Sequence, residues 1–183
     1  RVTHTASPVN YLSVTGAITG GSPVLSAQGS DANISLVLQP KGTGAIQAQV
    51  ADSTATGGNA RGANAVDWQT ARGVAASVAS GSQSVVAGGY GNSATGSNAF
   101  IGGGISNGAS GSQSVVVGGN SNQASNQWSN VIGGYQNIAA GQFNFIGAGS
   151  TNSGTSATVV TTAIATIALS ATNTFYLTAT NAN

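Results

Sequence analysis

Five consecutive copies of a fifteen-residue unit occupy residues 79 to 153, and no other property of the chain restricts its fold as strongly. Aligned with Ala79, Ala94, Ala109, Ala124 and Ala139 in the first column, the copies carry Asn92, Asn107, Asn122, Asn137 and Asn152 in the fourteenth, with no insertion or deletion. A period this short cannot enclose a central pocket. Each copy can bury its apolar side only against the copies before and after it, so one copy is one coil of a solenoid.

The columns predict where each residue points. The eighth holds Val86, Ile101, Val116, Val131 and Ile146, all β-branched, which predicts a strand that, with the alanine column, faces into the coil. The sixth column (Ser84, Ala99, Ser114, Ser129, Asn144) is small and shares that inward face where space is short. The seventh (Val85, Phe100, Val115, Asn130, Phe145) is apolar in four copies of five yet points the other way, which predicts an apolar stripe outside the coil. Columns ten and eleven are glycine except at Ala148, as a bend with positive φ or close backbone approach requires. The asparagine column reads as a turn residue that tolerates the left-handed region and can ladder its amide from rung to rung.

At about 4.7 to 4.9 Å per rung, five rungs make a rod of roughly 24 Å, too little to be stable alone. That shortage and the outer stripe predict several chains packed around one axis, through Val85, Phe100, Val115 and Phe145. A three-fold bundle is the natural closed arrangement, although these columns do not set the number. The fold expected is all-β: a parallel β-roll or β-solenoid of five fifteen-residue rungs, an intertwined or side-by-side homotrimer, with short β-strand segments on either side.

The flanks divide into three segments. Residues 1–52 read as an N-terminal β segment serving as attachment or shaft. Its strands are expected at Tyr11–Thr15 and Asn33–Leu38, punctuated by Gly16, Gly20, Gly21 and Pro23 and stopped by Pro40. Residues 53–78 read as a linker and N-terminal cap. Arg61, Asp67, Trp68 and Arg72 there could hold a ligand, but a packed ion pair and aromatic plug over the open edge of the solenoid is the favoured reading. Beyond Gly154 the register is lost, and 154–183 read as two or three strands leading to a further region. The start at Arg1 without an initiator Met points to a processed protein or a piece of a longer one.

Composition narrows the chemistry. Only 4% of the residues are charged, against about 25% in a typical soluble protein. There is no Glu, and the carboxylates are Asp31, Asp52 and Asp67; the cations are Arg1, Lys41, Arg61 and Arg72, with His4 the one imidazole. A net charge of +1 supplies no basic stripe for phosphates. No Cys excludes disulfides and thiolate metal sites. No apolar run reaches the roughly 18 residues of a membrane-spanning helix, and nothing near the N-terminus looks like a signal peptide.

Three apparent motifs dissolve on inspection. Lys41-Gly42-Thr43-Gly44 lacks the upstream glycine and following helix of a phosphate loop and reads as a tight turn. Gly104-Ile105-Ser106-Asn107-Gly108 matches a nucleophile elbow. Ser106, however, occupies a turn column that holds Gly91, Ser121, Gln136 and Thr151 elsewhere, and His4 is the only base. Gly88-Gly89-Tyr90-Gly91-Asn92 has Asn where a calcium-binding nonapeptide needs Asp. Three dispersed Asp make a glycosidase pair within one chain improbable. Neither a catalytic residue, nor a metal, nor a cofactor is expected. Among the aromatics, Trp128 and Phe143 share one column and Tyr90 and Tyr135 another. Such rings can stack on glycans or cover neighbouring chains, the second being favoured.

The unit as it stands in Ala79-Ser80-Gly81-Ser82-Gln83-Ser84-Val85-Val86-Ala87-Gly88-Gly89 resembles the head repeats of trimeric autotransporter adhesins of the YadA type. Those repeats form left-handed parallel β-rolls in a three-fold bundle. Their unit is usually a residue shorter and reads Ser-Val-Ala-Ile-Gly, so the double glycine and the fifteen-residue register depart from it. The whole combination is more similar to phage fibre proteins. In them a stretch like Tyr11-Leu12-Ser13-Val14-Thr15-Gly16 through Pro40-Lys41-Gly42-Thr43-Gly44 precedes one like Asn59 to Asp67 and then YadA-like rungs. This resemblance covers about residues 8 to 153. It implies a trimeric, non-enzymatic virion fibre of tail or head, attached to other virion proteins near its N-terminus and serving host attachment, with a host-surface glycan as a partner, and without nucleic acid or membrane insertion. The alternatives are the head of a bacterial adhesin and, behind it, a polysaccharide-degrading tailspike.

Overall fold

A thin rod has little interior in which to hide polar backbone, so its N–H and C=O groups must pair along the rod axis. The computed structural model describes residues 9–154 and 159–161 and shows this pairing coil after coil. The chain divides into two compact units, residues 1–42 and 43–183. No helix occurs among the described residues, and so none long and apolar enough to cross a membrane.

The first unit contains an antiparallel hairpin of β1 (Asn10–Thr15) and β2 (Val24–Gly29), in register from Asn10 opposite Gly29 to Thr15 opposite Val24. The strand expected at Tyr11–Thr15 is β1. The one expected at Asn33–Leu38 is not a strand: those residues enter no ladder, and the partner of β1 is instead Val24–Gly29. That partner escapes a reading by alternation because small residues break up its sequence.

The second unit is a parallel β-solenoid. One sheet stacks eight short strands in chain order: Ile46–Gln47, Val66–Asp67, Val85–Val86, Phe100–Ile101, Val115–Val116, Asn130–Val131, Phe145–Ala148 and Val159–Thr161. A second sheet stacks Ser93–Ala94, Gly108–Ala109, Gln123–Ala124, Ile138–Ala139 and Ser153–Gly154. A third line of parallel bridges joins Ala71, Tyr90, Ile105, Asn120, Tyr135 and Ser150. Each fifteen-residue copy is one coil, with Val85 opposite Phe100 and Val86 opposite Ile101, and so on to Ile146.

The coil extends beyond the repeats at both ends. Ile46 pairs with Val66 and Val66 with Val85, so two longer coils precede the regular ones. The boundaries expected at residues 52 and 78 therefore fall inside the solenoid, which begins after Gly42. Variable loops between 47 and 66 and between 67 and 85 change coil length without changing the stacking, and this hides the first two coils from a fixed period. At the other end, Val159 and Val160 pair with Phe145 and Ile146, with a register shift after them. The further strands expected up to residue 178 lie outside the described residues.

Two columns supply most of the apolar core. Val86, Ile101, Val116, Val131 and Ile146 are fully buried, as are the five first-column alanines from Ala79 to Ala139. The sixth column is buried with them.

The turn columns differ from expectation in one respect. Column eleven has the positive φ expected of it, but so do column five (Gln83, Asn98, Gln113, Trp128, Phe143) and column thirteen (Gly91, Ser106, Ser121, Gln136, Thr151), with φ between 54° and 67° in these two. The asparagine column is not left-handed. Asn92, Asn107, Asn122 and Asn137 point inward and are buried, because their amides have backbone to satisfy inside the coil.

Candidate functional site

The buried asparagines form a ladder along the rod. Asn92 Oδ1 accepts from the backbone N–H of Asn107 (3.0 Å), Asn107 Oδ1 from that of Asn122 (2.9 Å), and Asn122 Oδ1 from that of Asn137 (3.0 Å). Each Nδ2 donates to two glycine carbonyls: that of Asn107 reaches Gly103 and Gly119, both at 3.0 Å. One side chain thus ties its own bend to the next rung. The ladder starts at Gln69, which a fixed column could not reveal. Its Oε1 accepts from the Asn92 N–H at 2.7 Å, and its Nε2 donates to the carbonyls of Ser77 and Asn92. In Gly88-Gly89-Tyr90-Gly91-Asn92 the asparagine is therefore already engaged within the coil. Among the described residues no three His, Cys, Asp or Glu come together as a metal site would require.

Arg61, Asp67 and Arg72 do come together. Asp67 pairs alongside Val86, which places its carboxylate in the inward column that later rungs fill with Val or Ile. A charge there must be neutralised and hydrogen-bonded. Arg61 Nε lies 2.8 Å and Arg72 Nη2 3.5 Å from Asp67 Oδ2, and all three side chains are shielded from solvent. Arg72 also donates to Ser77, Gln49, Thr56 and Gln69, and Arg61 to Gly57 and Asn59. Burial lowers the pKa of the Arg72 guanidinium, and Asp67 opposes that shift. This cluster is a bonded polar core beneath one further coil and not a plug on an open edge. Trp68 does not cover it: its side chain points outward, 48% exposed.

The outer face of the eight-stranded sheet carries the predicted stripe and a second one beside it. In column seven Val85, Val115 and Phe145 are half-buried and Phe100 is exposed. Column nine lies on the same face, two residues further on, and exposes Val117 (46%) and Ile132 (42%). Sequence reading missed column nine, because Ala87, Gly102 and Gly147 dilute its apolar character. Beyond the glycine bend, the bridge line exposes Tyr90, Ile105 and Tyr135, with the polar Asn120 and Ser150 in the same line. By contrast columns two and four are mostly Ser, Thr and Gln, and no charged residue occurs after Arg72.

Trp128 and Phe143 lie on another side, with ring centroids 4.6 Å apart and planes 13° from parallel. Each ring covers one face of the other, at a separation equal to the rise between rungs. Tyr90 and Tyr135 stand in one line but are separated by Ile105 and Asn120. A shallow groove of about 400 Å³ with no charged residue in its lining is formed in the last three rungs by Ser121, Gln123, Gln136, Ile138, Thr151, Asn152 and Ser153. Ser106, the candidate nucleophile of the elbow motif, sits in the left-handed corner at φ 54°, its N–H bonded to the Tyr90 carbonyl. Its environment is that of the other corner residues. Compared with protein-family models, with curated proteins and with solved structures, the chain finds no match in any of the three.

Proposed function

We propose that the chain is a non-enzymatic structural segment of a phage virion fibre, on tail or head, that self-assembles as a homotrimer and serves host-cell attachment. The observation that carries this reading is the pair of apolar columns on the outer face of the eight-stranded sheet. Columns seven and nine expose Phe100, Val117 and Ile132 there, while the other sides are mostly polar and carry single exposed apolar or aromatic residues such as Tyr90, Tyr135, Ile138 and Phe143. A surface of this kind on a rod too thin to hold a large core favours burial against equivalent rods. The rungs then act as a spacer whose number sets length, with other virion proteins bound near the N-terminus. A host-surface glycan is the attachment partner, and the exposed rings outside the packing columns, Tyr90, Tyr135 and the outer face of Phe143 in its stack with Trp128, are where it stacks. The non-enzymatic reading is supported by the scarcity of carboxylates in the solenoid unit, which has Asp52 and Asp67 only, the latter held by two arginines.

The head of a bacterial trimeric adhesin would present the same rungs, but its gene would also encode a signal peptide and a membrane anchor. Two measurements test the proposal. Light scattering on the purified chain should give three times 17.6 kDa, and a monomer at micromolar concentration would end the assembly reading. Antibody labelling of purified particles should decorate a tail or head fibre, whereas labelling of a bacterial outer surface in the absence of phage would favour the adhesin.

A further inference from the structure

The first unit has a composition that should make a core, and its described residues make none. Among residues 9–42 not one is buried. Yet Leu12, Val14, Ile18, Leu25, Leu36 and Val37 are all there, exposed at 57%, 75%, 87%, 47%, 47% and 72%. The register of the hairpin sorts these residues. Leu12 lies opposite Ala27 and Val14 opposite Leu25, whereas Tyr11 lies opposite Gln28 and Ser13 opposite Ser26. Cross-strand partners share a face, so one face of the hairpin is apolar and the other largely polar. Residues 34–38, with Leu12, Leu25 and Ala27, line an open groove of about 350 Å³ on this unit. An isolated two-stranded hairpin is marginal in water, and an amphipathic one needs a second layer.

We propose that residues 9–42 are an inter-chain module: the apolar hairpin face and its groove are closed by the same surfaces of other copies of this chain. The proposal rests on the self-assembly reading above and adds a second, separate contact to it. Three observations select a copy of the chain as the occupant. None of residues 9–42 is buried, so what covers the hairpin face must supply the core of these residues permanently, as a partner subunit does and a transient ligand does not. The only charged residues in 9–42 are Asp31 and Lys41, and Asp31 is engaged by Asn10 Nδ2 at 2.7 Å, so no charge pattern selects a foreign partner. Finally, copies held together through the solenoid's outer columns would bring their first units to a high effective concentration, at which weak apolar faces associate.

The test uses the full chain and four forms of it: the parent, Leu12→Asp on the apolar hairpin face, Ser13→Asp on the polar face, and Val117→Asp on the solenoid. Mass is read by light scattering across a dilution series, and amide hydrogen exchange is followed in β1 and β2. Leu12→Asp should speed exchange of those amides at least tenfold and shift assembly to higher protein concentration, while Ser13→Asp should do neither. In the parent, protection of β1 and β2 should fall on dilution together with the mass. Protection of β1 and β2 that stays constant through dissociation would overturn the proposal, because the cover would then come from the same chain. So would a Leu12→Asp form that assembles like the parent. If Val117→Asp alone dissociates the assembly, this inference fails and the solenoid reading stands. A parent that is monomeric at every concentration removes both.

Discussion

At the scale of single residues, two adjacent glycine columns that differ in the sequence only at Ala148 do different work. Gly119 has φ 90°, and a Cβ placed on it would overlap the carbonyl oxygen of Gly134 in the next rung. Gly118 has no such φ, and a Cβ there meets nothing within 4 Å. Column ten accordingly accepts Ala148 while column eleven is glycine in all five copies. Gly119→Ala should destabilise the fold by at least about 2 kcal/mol, combining the left-handed penalty with the rung-to-rung overlap. Gly118→Ala should stay within about 0.5 kcal/mol of the parent. Urea unfolding of both variants checks this, and equal losses would refute the distinction. The asparagine column makes the same point about legibility. Its invariance was visible, but its place inside the coil was not, because a residue common in turns is equally suited to bonding buried backbone. The left-handed corners were hidden for the opposite reason: column five contains Trp128 and Phe143, which rarely adopt positive φ. What holds them there is the inter-rung ladder, in which the Trp128 N–H donates to Ser112 and the Phe143 N–H to Gln127.

At the scale of elements, the rung is legible where loops keep one length and illegible where they do not. The strict fifteen-residue spacing exposed the inward column, and Val116 is fully buried while Gln113 is exposed. Val116→Asp places an unpaired carboxylate in that column and should cost more than about 4 kcal/mol, enough to prevent folding. Gln113→Asp, at a corner with φ 58° where Asp is tolerated, should leave the unfolding midpoint nearly unchanged. Comparable effects of the two would reject the column assignment. The first two coils, which the sequence divides between an N-terminal β segment (1–52) and a linker and cap (53–78), escape the fixed period because their loops are longer, and the loop from Asp52 to Gly57 shows what those extra residues do. Asp52 Oδ1 accepts from the Thr54 N–H and hydroxyl, both at 2.8 Å, and from the Gly57 N–H at 3.1 Å. The loop carbonyls of Thr56 and Gly57 are in turn held by Arg72 and Arg61. The bond from the Thr54 N–H, then that from its hydroxyl, lowers the Asp52 pKa below the ordinary carboxylate value. A lowered folded-state pKa means that this stabilisation is complete above the ordinary value and is lost as pH falls through the lowered one. The Thr54 and Gly57 amide resonances should therefore move together with a midpoint below the usual Asp range. Asp52→Ala should abolish the transition, and a midpoint above that range would contradict the turn geometry.

At the scale of the whole molecule, what lies outside the coil decides whether chains associate. The interior is largely satisfied within one chain: the inward columns are buried, the asparagine ladder bonds the bends, and Asp67 has its arginines, while Arg61 Nη2, Ser114 Oγ and the Asn144 amide are buried without a hydrogen-bond partner among the described residues. None of that requires a second chain. The outer face of the eight-stranded sheet is different, because alternation about column eight places columns seven and nine side by side on it. Val117 and Ile132 expose nearly half of their surface there, beside Phe100. If equivalent faces pack about an axis, a carboxylate introduced at Val117 must be desolvated in every copy at once, whereas in a monomer it would remain in water. Val117→Asp should therefore reduce the particle mass to that of one chain while leaving the far-ultraviolet spectrum of the solenoid unchanged, since the coil does not need that side chain. Ser112→Asp, on a mostly polar side, should leave the mass as it is. Loss of the β spectrum together with the mass would mean that the coil itself depends on its neighbours. An unchanged mass would mean that the apolar face belongs to some other contact and that the rods do not pack through it.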